Sequence, residues 1–267
     1  MAETFILINP QWQGGGDTIT YDGAEEVKKL YLSDAAYTEA QVSMGQELSE
    51  VHGIIGFEEI EKQMQGVSDL LYREGASKIF SVGGGCDADV PVIAYLNEKY
   101  NGTLLVLWCD AHGDLNAPDE STTGLFYGMP ARVLMDDRLF SGIIRKPLTP
   151  QQLIQIGGRE LDEAEELFIQ KSGLMHIAVP DLKGIASVLR QNQDKAVYIH
   201  LDLDVLDPKE FPHTPLPVAN GATKREIQEL IRMVSDRCKF VGLGLYEYAP
   251  CGKKTEFISQ IIEDVLK

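Results

Sequence analysis

Basic residues are scarce in this chain. Against 41 Asp and Glu stand only 24 Lys and Arg in 267 residues, a formal net charge of −17 and a sequence pI of about 4.7. No run of several Lys or Arg occurs, so polyanions such as nucleic acid and anionic membrane surfaces are repelled rather than bound. Long hydrophobic runs are missing too: the longest, at 104–109, is far shorter than the roughly 20 residues that span a bilayer. Cysteine is limited to Cys86, Cys109, Cys238 and Cys251, with no CxxC pair, which argues against a disulfide framework and suits a reducing compartment. The opening MAETFILINPQWQGGG has no basic segment ahead of an apolar one and is not read as a signal peptide. Gly83-Gly84-Gly85 is not followed by Lys-Ser/Thr, which excludes a phosphate-binding P-loop. The expectation is a soluble cytoplasmic protein with no membrane or nucleic-acid partner.

What is present is an alternation of two periodicities. Short apolar runs at 4–8, 78–82, 103–109, 153–156, 174–179, 196–203 and 240–245 read as strands. Between them lie helical stripes. In 57–74, Ile60, Met64, Val67, Leu70 and Leu71 recur at a period near 3.6. In 224–236, Ile227, Leu230, Ile231 and Val234 do the same behind a Thr223/Glu226 capping box, and 254–267 carries a third stripe. The Gly-rich stretch 9–24 and the polar stretch 113–128 read as loops. Strands with consecutive apolar residues, alternating with helices, predict a single α/β domain over 1–267, its parallel sheet covered by helices on both faces. In such sheets ligands gather at the carboxyl ends of the strands.

Three of those ends carry metal-type ligands: Asp110-Ala111-His112-Gly113-Asp114, His200-Leu201-Asp202-Leu203-Asp204, and Gly83-Gly84-Gly85-Cys86-Asp87. In extended backbone every second residue shares a face, so Asp110, His112 and Asp114 are expected to converge, as are Asp202 and Asp204. Carboxylates gathered at buried strand ends are costly unless a cation neutralises them. Oxygen ligands with one or two nitrogens suit Mn²⁺ better than tetrahedral Zn²⁺. His200 is in phase with Asp202 and reads either as a group behind the site or as a core histidine. Trp108 reads as core, and His52, His176 and His213 receive no role.

The segments DAHGDLN at 110–116 and LDLDVLDP at 201–208, with the glycine turn before Cys86, resemble the signatures of the ureohydrolases, which include arginase, agmatinase and formimidoylglutamase. Further matches are Ile156-Gly157-Gly158-Arg159, Tyr127-Gly128-Met129-Pro130, and Glu247 ahead of Pro250. The resemblance implies the three-layer sandwich of the arginase/deacetylase type and two Mn²⁺ ions per chain. Asp110 and Asp202 would bridge the ions, with Cys86 and Asp114 on one and His112 and Asp204 on the other. Water ionised between the ions would attack the carbon of a small cationic guanidino or amidine substrate. Asp114 would take its proton, and Glu247 would pair with the guanidinium. Asn116, Ser121 and Thr123 match the residues that bind an α-carboxylate in the arginase branch, and Asp162 matches the acid that holds the α-amino group. A trimer or hexamer is implied as well.

Two departures qualify this resemblance. The family has His where Cys86 stands and Asp where Gly85 stands. A soft thiol in place of an imidazole weakens one Mn²⁺ site, unless the thiol takes no part. Asp87 and Asp89 are the carboxylates that could compensate. The second departure is Tyr127, where arginase has a His: a phenol titrating near pH 10 is a poor proton shuttle, which suits a substrate needing less proton help, such as N-hydroxyarginine, whose leaving-group or nucleophile balance differs from that of a plain guanidine. The alternatives are another amidine, such as agmatine or formimidoylglutamate, and a relative that kept the fold as a binding or regulatory protein.

Overall fold

The computed structural model describes residues 4–45, 47–136, 138–177 and 181–267. Eight strands form one sheet: β1 (Phe5–Asn9), β2 (Thr38–Glu39), β5 (Ile79–Gly83), β6 (Leu105–Cys109), β7 (Leu153–Ile156), β8 (Met175–Ile177), β9 (Ala196–Asp202) and β10 (Lys239–Tyr246). Their order is β2-β1-β5-β10-β9-β6-β7-β8, and every pairing between them is parallel. A separate hairpin pairs β3 (Glu50–Val51) with β4 (Ile54–Ile55). The helices are α1 (Ile19–Tyr31), α2 (Phe57–Glu74), α3 (Val90–Lys99), α4 (Pro130–Val133), α5 (Glu163–Ser172), α6 (Leu182–Gln191), α7 (Lys224–Arg237) and α8 (Glu256–Leu266).

Strand alternation sorts the core into two layers. On β6, Val106 and Trp108 pack with α2 and α3, whereas Leu105, Leu107 and Cys109 face the layer of α1, α6, α7 and α8. Helices therefore cover both faces, as the apolar strands require. No helix among the described residues is long and apolar enough to cross a membrane.

The expected 153–156 strand and 57–74 helix match β7 and α2 to the residue, and the Thr223/Glu226 capping box opens α7. The strand expected at 174–179 is β8, with 178–179 outside the described residues. The glycine-rich stretch 9–24 is a loop only as far as Thr18, because α1 starts at Ile19. Gly23 marks a close contact rather than a turn: a Cβ there would lie 1.6 Å from the carbonyl oxygen of Tyr248, so its absence lets α1 seat against the exit of β10. The expected elements do not include β2, α3, α5 or α6, although α6 carries an apolar stripe through Ile185, Val188 and Leu189.

Candidate metal centre

Four neighbouring strands at the middle of the sheet, β5, β10, β9 and β6, end beneath one point, and each delivers acid or thiol to it. β6 stops at Cys109, so 110–114 is not a strand, and the predicted alternation is not what brings its side chains together. The loop turns instead. Ala111 accepts backbone hydrogen bonds from Arg159 and Glu160, Gln155 Nε2 donates to the carbonyl of His112, and Asp114 takes φ +55°. Glu247, just beyond β10, takes the same left-handed backbone. A non-glycine residue held there costs about 1 kcal/mol or more, the kind of strain that collects at functional sites.

Four of the carboxylates are oriented through backbone N–H groups. The Oδ1 of Asp110 accepts from His112 N at 2.7 Å, Asp202 Oδ1 from Asp204 N at 2.7 Å, and Asp204 Oδ1 from Ala111 N at 2.9 Å. Glu247 Oε1 accepts from Cys86 N at 3.3 Å. The second oxygens face inward. His112 Nδ1 lies 2.9 Å from Asp204 Oδ2, Cys86 Sγ lies 3.0 Å from Asp202 Oδ2, and the buried Asp114 Oδ2 has no hydrogen-bond partner. Among the described residues, three groups of ligand atoms, each within 4.8 Å of one another, could hold a cation: Asp110, His112 and Asp204; Cys86, Asp110, Asp114 and His200; and Cys86, Asp202 and Glu247. Asp110 belongs to two of them.

The titration behaviour states the need for positive charge. Burial, with the neighbouring negative charges, pushes Asp202, Asp114 and Glu247 well above the usual carboxylate range. Burial also drives the Cys86 thiol far up, reinforced by the charges of Asp202, Asp114 and Asp110, so it is a neutral thiol here. Burial opposes charge on Asp110 and on His112 as well. Their mutual hydrogen bond and attraction outweigh it, holding Asp110 at about 2 and raising His112 to about 11 with the help of Asp204. A cluster of oriented acids, an orphaned inward oxygen and an imidazole that would release its proton on binding fit a pair of divalent cations.

The remaining expected site residues lie around this centre. Tyr127 is half-buried, and burial together with the charges of Glu247 and Asp114 raises its phenol further, which makes it a donor and not a shuttle. Asn116 Nδ2 donates to Asp162 Oδ2 at 2.8 Å. The other oxygen of Asp162 caps α5 by accepting from Glu165 N at 3.0 Å, so this acid also has a structural task. Ser121 Oγ and Thr123 Oγ1 stand 3.5 Å apart in a turn, accepting from Gly124 N and Leu125 N respectively.

Asp87 and Asp89 do different work. A Cβ at Gly85 would sit 2.6 Å from Asp87 Oδ1, so Asp87 occupies space that a side chain at 85 would need. Burial lifts Asp87 to about 7 even though Gln11 donates to it. Asp89 lies behind His200. Two contributors were not legible as such. Glu165 supports the 110–114 loop from below by accepting from Leu115 N at 3.1 Å. Arg159 binds the carbonyls of Gly157, Asp204, Val205, Val218 and Ala219, tying the Asp204 turn to the β7 exit. The sequence signal for Arg159 was its place in the Ile156–Arg159 segment. Trp108, read as core, also donates from Nε1 to Asp110 Oδ2 at 3.2 Å.

Comparison with known proteins adds to this geometry. The model of the arginase family matches residues 16–265. An arginase of Staphylococcus aureus is 30% identical over 219 residues, covering 76% of this chain and 71% of its own. The crystal structure of Entamoeba histolytica arginase in complex with L-ornithine superposes with a TM-score of 0.85 at 22% identity, over 98% of this chain and 96% of that one. Formimidoylglutamase of Bacillus subtilis superposes with a TM-score of 0.71 at 19% identity, over 100% of this chain and 85% of that one.

Proposed function

The chain belongs to the arginase family, and from that premise we propose that it is a dinuclear manganese amidinohydrolase. Its substrate is an arginine-like amino acid, arginine or N-hydroxyarginine, split by water into urea or hydroxyurea and an amine-bearing amino acid. The observation that carries this reading is the sharing of Asp110 between the His112–Asp204 group and the Cys86–Asp114 group. One carboxylate common to two ligand sets is what a two-ion site requires.

Asp110 and Asp202 would help to hold the pair of ions, together with Cys86 and Asp114 for one and His112 and Asp204 for the other. Bound there, two Mn²⁺ ions supply charge neutralisation and a lowered pKa for water. The protein's own side chains do the rest. Asp114, with its orphaned inward oxygen, is placed to hold the proton released by the attacking water. Glu247, only partly buried, would pair with the guanidinium and fix its carbon over the acids. Tyr127 stays protonated and donates a hydrogen bond. The amine that leaves is the same δ-nitrogen in arginine and in N-hydroxyarginine, so in both the proton it needs would be returned from Asp114.

Asn116 and Asp162, joined at 2.8 Å, offer a donor and an acid to an α-carboxylate and an α-ammonium, with the Ser121 and Thr123 hydroxyls beside them. This favours an amino acid over agmatine. The same reading carries a cytoplasmic homo-oligomer, trimer or hexamer, which light scattering would measure.

The test is Mn²⁺-loaded protein assayed on arginine, N-hydroxyarginine, agmatine and formimidoylglutamate, with urea-type product and amine both quantified. Turnover is expected on the first two. A higher kcat/KM on either of the others overturns the substrate class, and no product from any of them overturns the enzyme. Cys86 in place of the family's His favours one second reading, a binding or regulatory relative without catalysis. Fewer than one Mn²⁺ per chain at saturation, with no gain from Cys86→His, would establish it.

A further inference from the structure

His200 lies on β9 two residues before Asp202, so both side chains leave the sheet on the same face. Its ring is wholly buried between two aromatic planes: Trp108 at 3.6 Å between centres and Tyr246 at 4.9 Å, each tilted by 12°. That stack leaves no room for the imidazole to turn. In its plane, Nδ1 lies 2.8 Å from Oδ2 of Asp89, whose Oδ1 accepts from the Tyr198 hydroxyl at 2.7 Å. An imidazole N–H directed at a carboxylate places the proton on Nδ1 and leaves the lone pair on Nε2.

Nε2 has no hydrogen-bond partner, although the residue is fully buried. One ring nitrogen of His200 lies within 4.8 Å of Cys86 Sγ and of carboxylate oxygens of Asp110 and Asp114, and with Nδ1 held by Asp89 the nitrogen free to serve there is Nε2. A core histidine would be satisfied at both nitrogens. This one is satisfied at one, locked in plane, and aimed with its free lone pair at the centre.

We propose that His200 Nε2 is the nitrogen ligand of the ion beside Cys86, with Asp89 as its positioning residue. The assignment rests on the dinuclear reading above. The imidazole missing at position 86 is thus supplied by the neighbouring strand, and a hard Mn²⁺ ion need not depend on the soft, protonated thiol. Asp89 orients the ring and fixes its tautomer, the role a carboxylate plays behind a ligating histidine, and Tyr198 holds Asp89 in turn.

The test counts imidazole ligands in the intact, Mn²⁺-loaded protein by pulsed electron–nuclear resonance, with histidine ¹⁵N-labelled. The wild-type protein is expected to show manganese coupling to both His112 and His200. His200→Gln should leave one coupled imidazole and weaken one ion by about 10–100-fold, with a smaller loss in Asp89→Asn. Cys86→His combined with His200→Gln should restore the second coupling from the opposite side. Two bound ions with coupling to one imidazole in the wild-type protein would overturn the assignment of His200 while leaving the dinuclear site standing. No Mn²⁺ uptake at all would overturn the dinuclear reading and this assignment with it.

Discussion

The Sγ of Cys86 lies 3.0 Å from Oδ2 of Asp202, a thiol donating to a carboxylate at the floor of the acid cluster. Burial and the surrounding charges keep the sulfur protonated, so in this state Cys86 is a hydrogen-bond donor. A cation that takes Asp202 must displace that bond, and the thiol gives it little in return.

Replacing the thiol by an imidazole should therefore help. Cys86→His is expected to tighten Mn²⁺ binding by about 10-fold, read by calorimetric or paramagnetic titration. Unchanged or weaker binding would place Cys86 outside the ligand set.

Asp202 is argued to touch both ions, and its loss should be felt at both. Asp202→Asn keeps the shape and removes the charge; it is expected to lower Mn²⁺ stoichiometry and to cut turnover by about 10³-fold or more. Undiminished turnover would show that the ligand assignment is wrong.

The raised acids make the stability of the metal-free protein depend on pH. Asp202, Asp114 and Asp204 titrate above their ordinary value of 3.8 when folded, so from there upward the folded chain holds more protons than the unfolded one. His112, raised from 6.5 to about 11, adds the same sign in its own range. Stability of chelator-stripped protein should then fall as pH rises above about 4, whereas Mn²⁺ replaces the protons and reverses the trend. Thermal melts across pH with and without Mn²⁺ measure this, and proton release on metal addition gives a second check. A stripped protein that gains stability toward alkaline pH would contradict the shifts.

Among the described residues Arg159 holds the Asp204 turn through carbonyl oxygens, with no carboxylate in its hydrogen bonds. Lysine cannot fork in this way. Arg159→Lys is expected to cost about 2 kcal/mol of stability and to weaken Mn²⁺ binding at the His112–Asp204 group. Denaturant melts of the metal-free and metal-loaded forms would separate the two effects.

How much of this was legible in the sequence depends on how local each cause is. Apolar runs at β7, β9 and β10 and the stripes of α2 and α7 are local patterns, and they located the elements to within a residue or two. The acids of 110–114 and 202–204 announced a metal site by composition alone, since buried strand ends do not otherwise collect negative charge.

Tertiary structure decided what no local pattern can hold. Alternation was the wrong reason for grouping Asp110, His112 and Asp114; their meeting depends on a turn fixed by Gln155, Arg159 and Glu165, which are far away in the chain. His200 was ambiguous in sequence because its meaning lies in which of its nitrogens finds a partner. That was settled only when Asp89, 111 residues earlier, was brought to 2.8 Å from Nδ1 and no hydrogen-bond partner was brought to Nε2. Net charge and motif are properties of the chain, whereas a free lone pair is a property of the packing around it.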